Sequence, residues 1–453
     1  MMIFEVQELT HLFSTYKGAG ADKIAVDSIM TDTRKSAPQS LFVPIVGESF
    51  DAHQFAGEAI KQGAVAALWQ EDQPLPGLIP TDFPVFFVKD TTKALQDLAS
   101  WYLKKVDPIV VGITGSNGKT TTKDMTASVL AAKFKTHKTA GNFNNHIGLP
   151  LTVLSMLPDT EAVVLEMGMD RAGEISVLSH IAQPDHAIIT NIGESHIENL
   201  GTREAIAAAK LEITDGLADE GCLIIDADEP LLDHVKTRAG TIGCGFGSSC
   251  DYKAEITGMT DENSTFRLME EDYELPMTGR HNVKNASFVI ALAKRLGMTK
   301  EEIQQGFRQM QMSAMRFEKH EGYQGSLIIN DAYNASPTSM KAMIEVIRQL
   351  TSKTKKVLIL GDMYELGGKS EELHAGVAEA VDEKIDAVFT IGVHSEKISE
   401  AASSRYPDME VKHFKEKQQA SHHIRPLLTA DTVVLMKASR GMKLEDMLPD
   451  LVK

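Results

Sequence analysis

The chain has little of what would tie it to an oxidising compartment, a membrane or a polyanion. Among its 453 residues there are three cysteines, Cys222, Cys244 and Cys250. Their spacing shows no pairs, which suits reduced thiols in a cytoplasmic protein. No apolar run approaches membrane-spanning length, so no membrane insertion is expected. Residues 1–10 carry Glu5 and Glu8 and lack a basic start and an apolar stretch, so no signal peptide is expected. Basic charge is scarce. Lys and Arg number 46 against 63 Asp and Glu, for a net charge of -17. Broad nucleic-acid or anionic-membrane binding wants a basic face and is disfavoured. An anionic small substrate stays open, because a local cluster of Lys and Arg can reverse the field. Hydrophobic residues make up 43%, enough for ordinary globular cores. At roughly 150 residues per domain the length suggests about three domains.

One stretch organises the chain. A β-branched run over 109–111 reads as a buried strand and feeds Thr114-Gly115-Ser116-Asn117-Gly118-Lys119-Thr120-Thr121. A helix is expected from Thr121, with Met125, Val129 and Leu130 on one face. Strand, glycine turn and helix make the context of a phosphate-binding loop. Backbone N–H groups line such a loop, the helix N-terminus adds partial positive charge, and the lysine reaches the terminal phosphates. Thr120 offers a hydroxyl to a phosphate-bound Mg²⁺. The standard pattern places its first glycine at position 113, which is Ile113, and Gly112 falls one residue early. The sequence reads as a variant loop for ATP; the plainer alternative is a glycine-rich turn beside a surface lysine.

Residues 1–107 read as a small α/β domain, with strands at 40–46, 65–69 and 85–88 and helices at 55–62 and 92–105. Asp32, Thr33 and Arg34 and the polar loop 47–53 are either solvated turns or the means to recognise an anion, Arg34 offering a bidentate fork.

Residues 108–321 carry the loop. An amide-rich stretch at 139–148, with Asn142 and Asn145, suits turns or polar-ligand contacts. Strands at 162–165 and 186–190 end in Glu166 and in Asn191 to His196. Ligands of open α/β sheets gather beyond such carboxyl ends, so Glu166 and His196 are candidate metal ligands. Magnesium prefers oxygen, and a hydrogen-bonded loop histidine is the other reading of His196. A helix over 202–217 has an apolar stripe of Ile206, Ile213 and Leu217, with Lys210 at the missing step. Such a lysine either snorkels outward or, held in place, is desolvated toward the neutral amine. A neutral amine can take up carbon dioxide as a carbamate, an anion able to bind metal. Residues 253–277 alternate as antiparallel strands. Asn282 is expected to cap a helix at 286–296, with Asn285 in its first turn; both also suit a nucleotide contact.

Residues 322–453 return to strand and helix, with strands at 326–330, 356–360, 387–391 and 432–436. That makes a doubly wound third domain. No GxGxxG follows its first strand, so a separate NAD site is not expected. The fold class is therefore α/β: three domains, a central mostly parallel sheet of P-loop type and a Rossmann-like C-terminal domain.

In order along the chain, the loop 114–120, Glu166, His196, Lys210, Asn282 with Asn285, Arg316 and Asp331 resemble the motif set of the Mur ligases, the ATP-dependent amide-forming enzymes of peptidoglycan synthesis. The resemblance covers essentially the whole chain and accounts for the missing first glycine. It implies that Gly115, Ser116, Asn117, Gly118, Lys119, Thr120, Thr121, Asn282, Asn285, Arg316 and Asp331 hold ATP. It implies Mg²⁺ on Thr120, Glu166, His196 and Lys210 as its carbamate, and catalysis by Lys119, Glu166, His196, Lys210 and Arg316. The segments 331–337, 361–367 and 437–441 are most similar to the member that joins D-alanyl-D-alanine to UDP-N-acetylmuramoyl-tripeptide through an acyl phosphate. An Asp-Asn-Pro-Arg motif for a single amino acid, typical of the preceding ligase, is absent from the third domain. The resemblance further implies a UDP-sugar contact at Asp32, Thr33 and Arg34, substrate contacts at Asn142, Asn145, Asn334 and Ser336, and a monomer. The competing functions are a sister amide ligase, muramyl or folylpolyglutamate in type, and a nucleotide-driven switch or ATPase.

Overall fold

A computed structural model describes residues 2–47 and 49–452. Met1, in the expected leader-free start, Glu48, in the polar loop 47–53, and Lys453 lie outside them. Three larger sheets follow one another along the chain, of five, nine and six strands. The five-stranded sheet is parallel except for Tyr16–Lys17 at one edge. Its strand expected over 40–46 stops at Phe42. Pro44 has no N–H for a ladder, and its carbonyl accepts from the Thr91 hydroxyl instead, at 2.6 Å. Val46–Gly47 then pairs separately with Phe50–Asp51.

The nine-stranded sheet sets the position of everything functional. Ile109–Thr114 lies between Ala162–Glu166 and His186–Ile189, parallel to both. Its neighbours are buried on both faces, which is why they read as continuous apolar runs. The chain leaves Ile109–Thr114 toward Ala162–Glu166 first and only later returns on the other side as His186–Ile189. The carboxyl end of Ile109–Thr114 is therefore a topological switch point, where a crevice opens.

The helix Lys119–Leu130 starts there, two residues before the sequence suggests. Its run of threonines has modest helical propensity, so packing must hold it. Arg280–Arg295 and Lys300–Arg308 supply that packing. Gly306 allows a close approach: a Cβ there would stand 2.4 Å from the Cα of Val129. Arg280–Arg295 begins six residues before the expected start at 286, with Gly279 as its N-cap. Asn282 is thus inside the helix rather than capping it, and its Nδ2 donates to the Thr278 carbonyl at 2.8 Å.

The third sheet has six strands where the sequence suggests four. The two extra strands, Glu318–Glu321 and Glu410–Phe414, are its edges. Both are charged and partly exposed, as edges that resist further pairing are, and charge hid them from an apolar-run search. Glu318–Glu321 precedes position 322 yet hydrogen-bonds to Leu327–Asn330 in this third sheet.

Gly306→Ala tests the close helix contact. The substitution gains about 1 kcal/mol of helix propensity. Backbone overlap, which no rotamer relieves, costs about 1–3 kcal/mol. A lowered urea midpoint with an unchanged m-value is expected.

Candidate active site

Local geometry makes the loop an anion cradle. Gly115 runs at φ +148°, and a Cβ on it would lie 1.9 Å from the Thr190 hydroxyl. Thr190 Oγ1 donates to the Asn117 carbonyl at 2.6 Å. Asn191 accepts from Ser116 N with its carbonyl, at 3.1 Å, and from Asn117 N with its side chain, at 2.9 Å. The strand on the far side of the switch point thus sets the loop's shape. Gly118 at φ +80° caps the helix without a side chain, which leaves the helix N-terminus open to a ligand.

Lys119 Nζ donates to the Gly115 carbonyl at 2.8 Å, folded beneath the loop. Burial lowers its pKa, nearby Glu166 opposes the shift, and the Arg316 charge adds to it. Lys210 is 1% exposed, so it does not snorkel. Its helix ends at Leu211 and tightens into a single turn, Glu212–Thr214, short of the expected 217. Burial pushes the Lys210 amine well below its usual range, and the like charge of Lys119 pushes the same way. A buried lysine within reach of a second, partly buried lysine's charge makes a place that an anion would neutralise.

Glu166 ends its strand almost fully buried, 4% exposed. Oε1 accepts from Asn144 Nδ2 at 3.0 Å, while Oε2 has no hydrogen-bond partner. A buried carboxylate oxygen without a partner is costly unless a cation or donor arrives, so Glu166 fits a metal. His196 sits past the neighbouring strand at φ +65°. Its Nδ1 lies 2.6 Å from Glu365 and 3.3 Å from Asp170, and the three donor atoms cluster within 4.8 Å. The His196 ring at this distance holds the Glu365 carboxyl below its usual range.

Arg316 arrives from the third-sheet side. Its guanidinium stacks on Tyr333 at 4.4 Å and reaches the Thr120 hydroxyl at 3.4 Å. The segment carrying it is tied to the loop helix. Asp124, fully buried, accepts from Ser313 N and Oγ at 2.9 and 2.7 Å and from Lys138 at 2.6 Å, with Lys123 at 3.3 Å. Asp331 accepts from Phe317 N at 3.1 Å and pairs with buried Lys437 at 2.5 Å. Beside them burial lowers the His281 pKa to about 4.

A cavity of about 370 Å³ is lined by most of the expected residues. Ser116 to Thr121, Asn142, Asn145, Glu166, His196, Asn282, Asn285, Arg316, Asp331 and Asn334 line it. Asn145 and Ser336 also do local work. The first accepts from Gly148 N at 2.8 Å; the second caps Pro337–Gln349 and donates to Asn117 at 2.9 Å. Gly115, Lys210 and Ser336 are not in its lining, nor are Asp32, Thr33 and Arg34, and the Arg34 fork closes on Asp32 at 2.8 and 2.9 Å. Asn144, Asp124, Tyr333, Glu365 and Lys437 are residues the motif search passed over. Glu365 and Lys437 stand inside quoted segments, but nothing in a linear sequence says what either faces.

Two family models match the chain, the Mur ligase middle domain over residues 113–293 and the Mur ligase, glutamate ligase domain over residues 315–440. A UDP-N-acetylmuramoyl-tripeptide--D-alanyl-D-alanine ligase from Bacillus subtilis is 44% identical, covering 95% of this chain and 94% of its own. The chain belongs to the Mur ligase family. Among solved Mur ligases, a MurF crystal structure from Acinetobacter baumannii matches with a TM-score of 0.87 and 29% identity, covering 99% of this chain and 98% of the other. A MurF from Thermotoga maritima in complex with ADP matches with a TM-score of 0.82 and 27% identity, covering 94% and 97%. The α/β architecture is that of these ligases. No helix among the described residues is long and apolar enough to cross a membrane.

Asp124→Ala is expected to destabilise the protein by about 3–5 kcal/mol, because it strands buried Lys123 and its partner Lys138. Burial opposes the Asp124 charge, but Lys123, Lys138 and Ser313 outweigh it and hold the pKa below the usual value. The pair's contribution is therefore present above the ordinary carboxylate pKa and is lost as pH falls through the depressed one. Urea unfolding of wild type and Asp124→Ala at neutral and acid pH should show the gap narrowing with acid.

Proposed function

We propose that the chain joins D-alanyl-D-alanine to UDP-N-acetylmuramoyl-tripeptide with ATP, giving the pentapeptide precursor of peptidoglycan, ADP and phosphate. The carrying observation is one cavity lined by a phosphate loop with its lysine, a carboxylate with a free oxygen and Arg316, which reaches the loop's Thr120, while buried Lys210 lies within reach of the Lys119 charge. The relatives' names support the choice of substrates.

A free carboxylate does not condense with an amine in water, so it is activated first. The tripeptide's terminal carboxylate attacks the γ-phosphorus of ATP, an O–P bond forms, and ADP leaves. The amine of the dipeptide then attacks the acyl-phosphate carbonyl, loses a proton, and phosphate leaves. Loop N–H groups of 115–121 and Lys119 receive the phosphates, with Lys119 exchanging the Gly115 carbonyl for a phosphate oxygen. Arg316 offsets charge on the transferring group, held over Tyr333. Asn282, Asn285 and Asp331 serve the nucleoside side. Thr120, Glu166, His196 and Lys210 as its carbamate would hold Mg²⁺, whose chemistry is to polarise phosphoryl oxygens. Residues 1–107 take the UDP-sugar, Arg34 releasing Asp32 for phosphate; residues 108–321 take ATP; residues 322–453 take the dipeptide, near Asn334 and Ser336. Asn142 and Asn145 meet the tripeptide. The reading takes the chain as a monomer. Closure of the units shields the acyl phosphate from water.

Phosphate release should require both UDP-N-acetylmuramoyl-tripeptide and D-alanyl-D-alanine, with a pentapeptide product by mass. Release with a single amino acid on a shorter precursor would move the assignment to a sister ligase, and ATP hydrolysis indifferent to both would overturn it. Lys119→Ala should lower turnover by at least about 10²-fold. With ¹³C-bicarbonate, a carbamate carbon signal is expected in wild type and not in Lys210→Ala.

A further inference from the structure

The loop from Asn191 to Leu200 touches both the nucleotide cradle and the third sheet. On the cradle side, Gly193 N donates to Ser116 Oγ at 2.8 Å and Ser195 Oγ to the Ser116 carbonyl at 3.3 Å. On the other side, Thr338 Oγ1 donates to Glu194 at 2.7 Å, and Glu198 N donates to the Glu365 carbonyl at 3.0 Å. The closest contact is between side chains: His196 Nδ1 lies 2.6 Å from Glu365, out of line for a hydrogen bond as the ring stands, and this buried nitrogen has no hydrogen-bond partner.

Backbone strain marks the same contact. His196 has φ +65° and Glu365 φ +63°, and neither is glycine. A left-handed backbone is unfavourable for a non-glycine residue and persists only where its surroundings impose it. Here two such residues, one from each unit, point their side chains at one another. Gly367 lets the segments close up: a Cβ on it would stand 3.3 Å from the Cα of Glu198.

The chemistry follows from imidazole having two nitrogens. A carboxylate that accepts from Nδ1–H fixes the tautomer with its lone pair on Nε2 and makes that nitrogen a better donor to a metal. We propose that Glu365 is a positioning residue for His196: as the nearest acceptor for the unpartnered Nδ1, it takes that N–H when the ring aligns and leaves Nε2 as the ligating nitrogen, so the metal site is finished only when the third unit lies against the central one. This rests on His196 being a metal ligand. Asp170, on the central unit, is the rival orienting group. It would set the same tautomer without any dependence on closure, but it stands at 3.3 Å against 2.6 Å for Glu365 and is the more exposed of the two.

The test uses full-length protein saturated with a non-hydrolysable ATP analogue and titrated with Mn²⁺, free Mn²⁺ being read by electron paramagnetic resonance. Glu365 is half-exposed, so its replacement leaves no buried hole. Glu365→Ala should weaken Mn²⁺ binding about 10-fold. Glu365→Gln, whose amide oxygen still accepts from Nδ1, should keep most of the affinity, and Asp170→Asn should resemble wild type. In ¹⁵N-histidine spectra the His196 signal, assigned by its loss in His196→Ala, should report an Nδ1-protonated ring that changes in Glu365→Ala. Wild-type affinity and spectrum in Glu365→Ala, with weakened binding in His196→Ala, would overturn the proposal alone. Equal losses in Glu365→Ala and Glu365→Gln would overturn it by making Glu365 a direct ligand. A loss confined to Asp170→Asn would hand the role to Asp170. No effect of His196→Ala would remove the metal reading and the proposal with it.

Discussion

The site depends on one crowded crossing, where Gly115 passes the Thr190 hydroxyl with no room for a Cβ. Thr190 and Asn191, at the end of the next strand, hold the loop by its Asn117 carbonyl and by the Ser116 and Asn117 amides. That arrangement also accounts for the missing first glycine. Position 113 is Ile113, fully buried and paired in register with Glu166 on one side and Ile188 on the other. A glycine there would weaken the strand, and the loop takes its shape from the neighbouring strand instead.

Around that crossing the field runs against the charge of the whole protein. The net charge is -17, yet Lys119, Lys210 and Arg316 act on the same small volume. Burial costs each lysine its hydration, and Glu166 offsets only Lys119. Such a site favours whatever anion reaches it, and phosphate approaching a helix N-terminus meets the N–H groups already aligned. Asp124 extends the same logic outward. It ties the segment before Arg316 to the loop helix, so the cradle and its distant arginine share one support.

Much of this was legible in the chain. Buried strands announce themselves as β-branched runs, and Val85–Val88 and Ala387–Ile391 fall where the runs do. Elements with polar surfaces did not announce themselves. The charged edge strands Glu318–Glu321 and Glu410–Phe414 carry no apolar period, and the start of Arg280–Arg295 lies in a polar stretch that reads as loop. Asn282 looked like a cap for that reason, whereas Gly279 ends the preceding segment and the amide lies in the first turn, facing the cavity.

By itself the sequence determined the α/β class, the place of the phosphate loop and the ordered set of polar residues at strand ends, because burial periodicity and glycine geometry are local. Tertiary structure decided which of two chemistries each ambiguous residue has. Lys210 is buried rather than snorkelling, within reach of the Lys119 charge. His196 faces Glu365 because two units meet there, 169 positions apart in the chain, as the difference of 365 and 196. Arg34 closes on Asp32 while Arg316 crosses to Thr120. Desolvation and partner choice depend on what packs from elsewhere in the chain, and spacing along it carries no record of that.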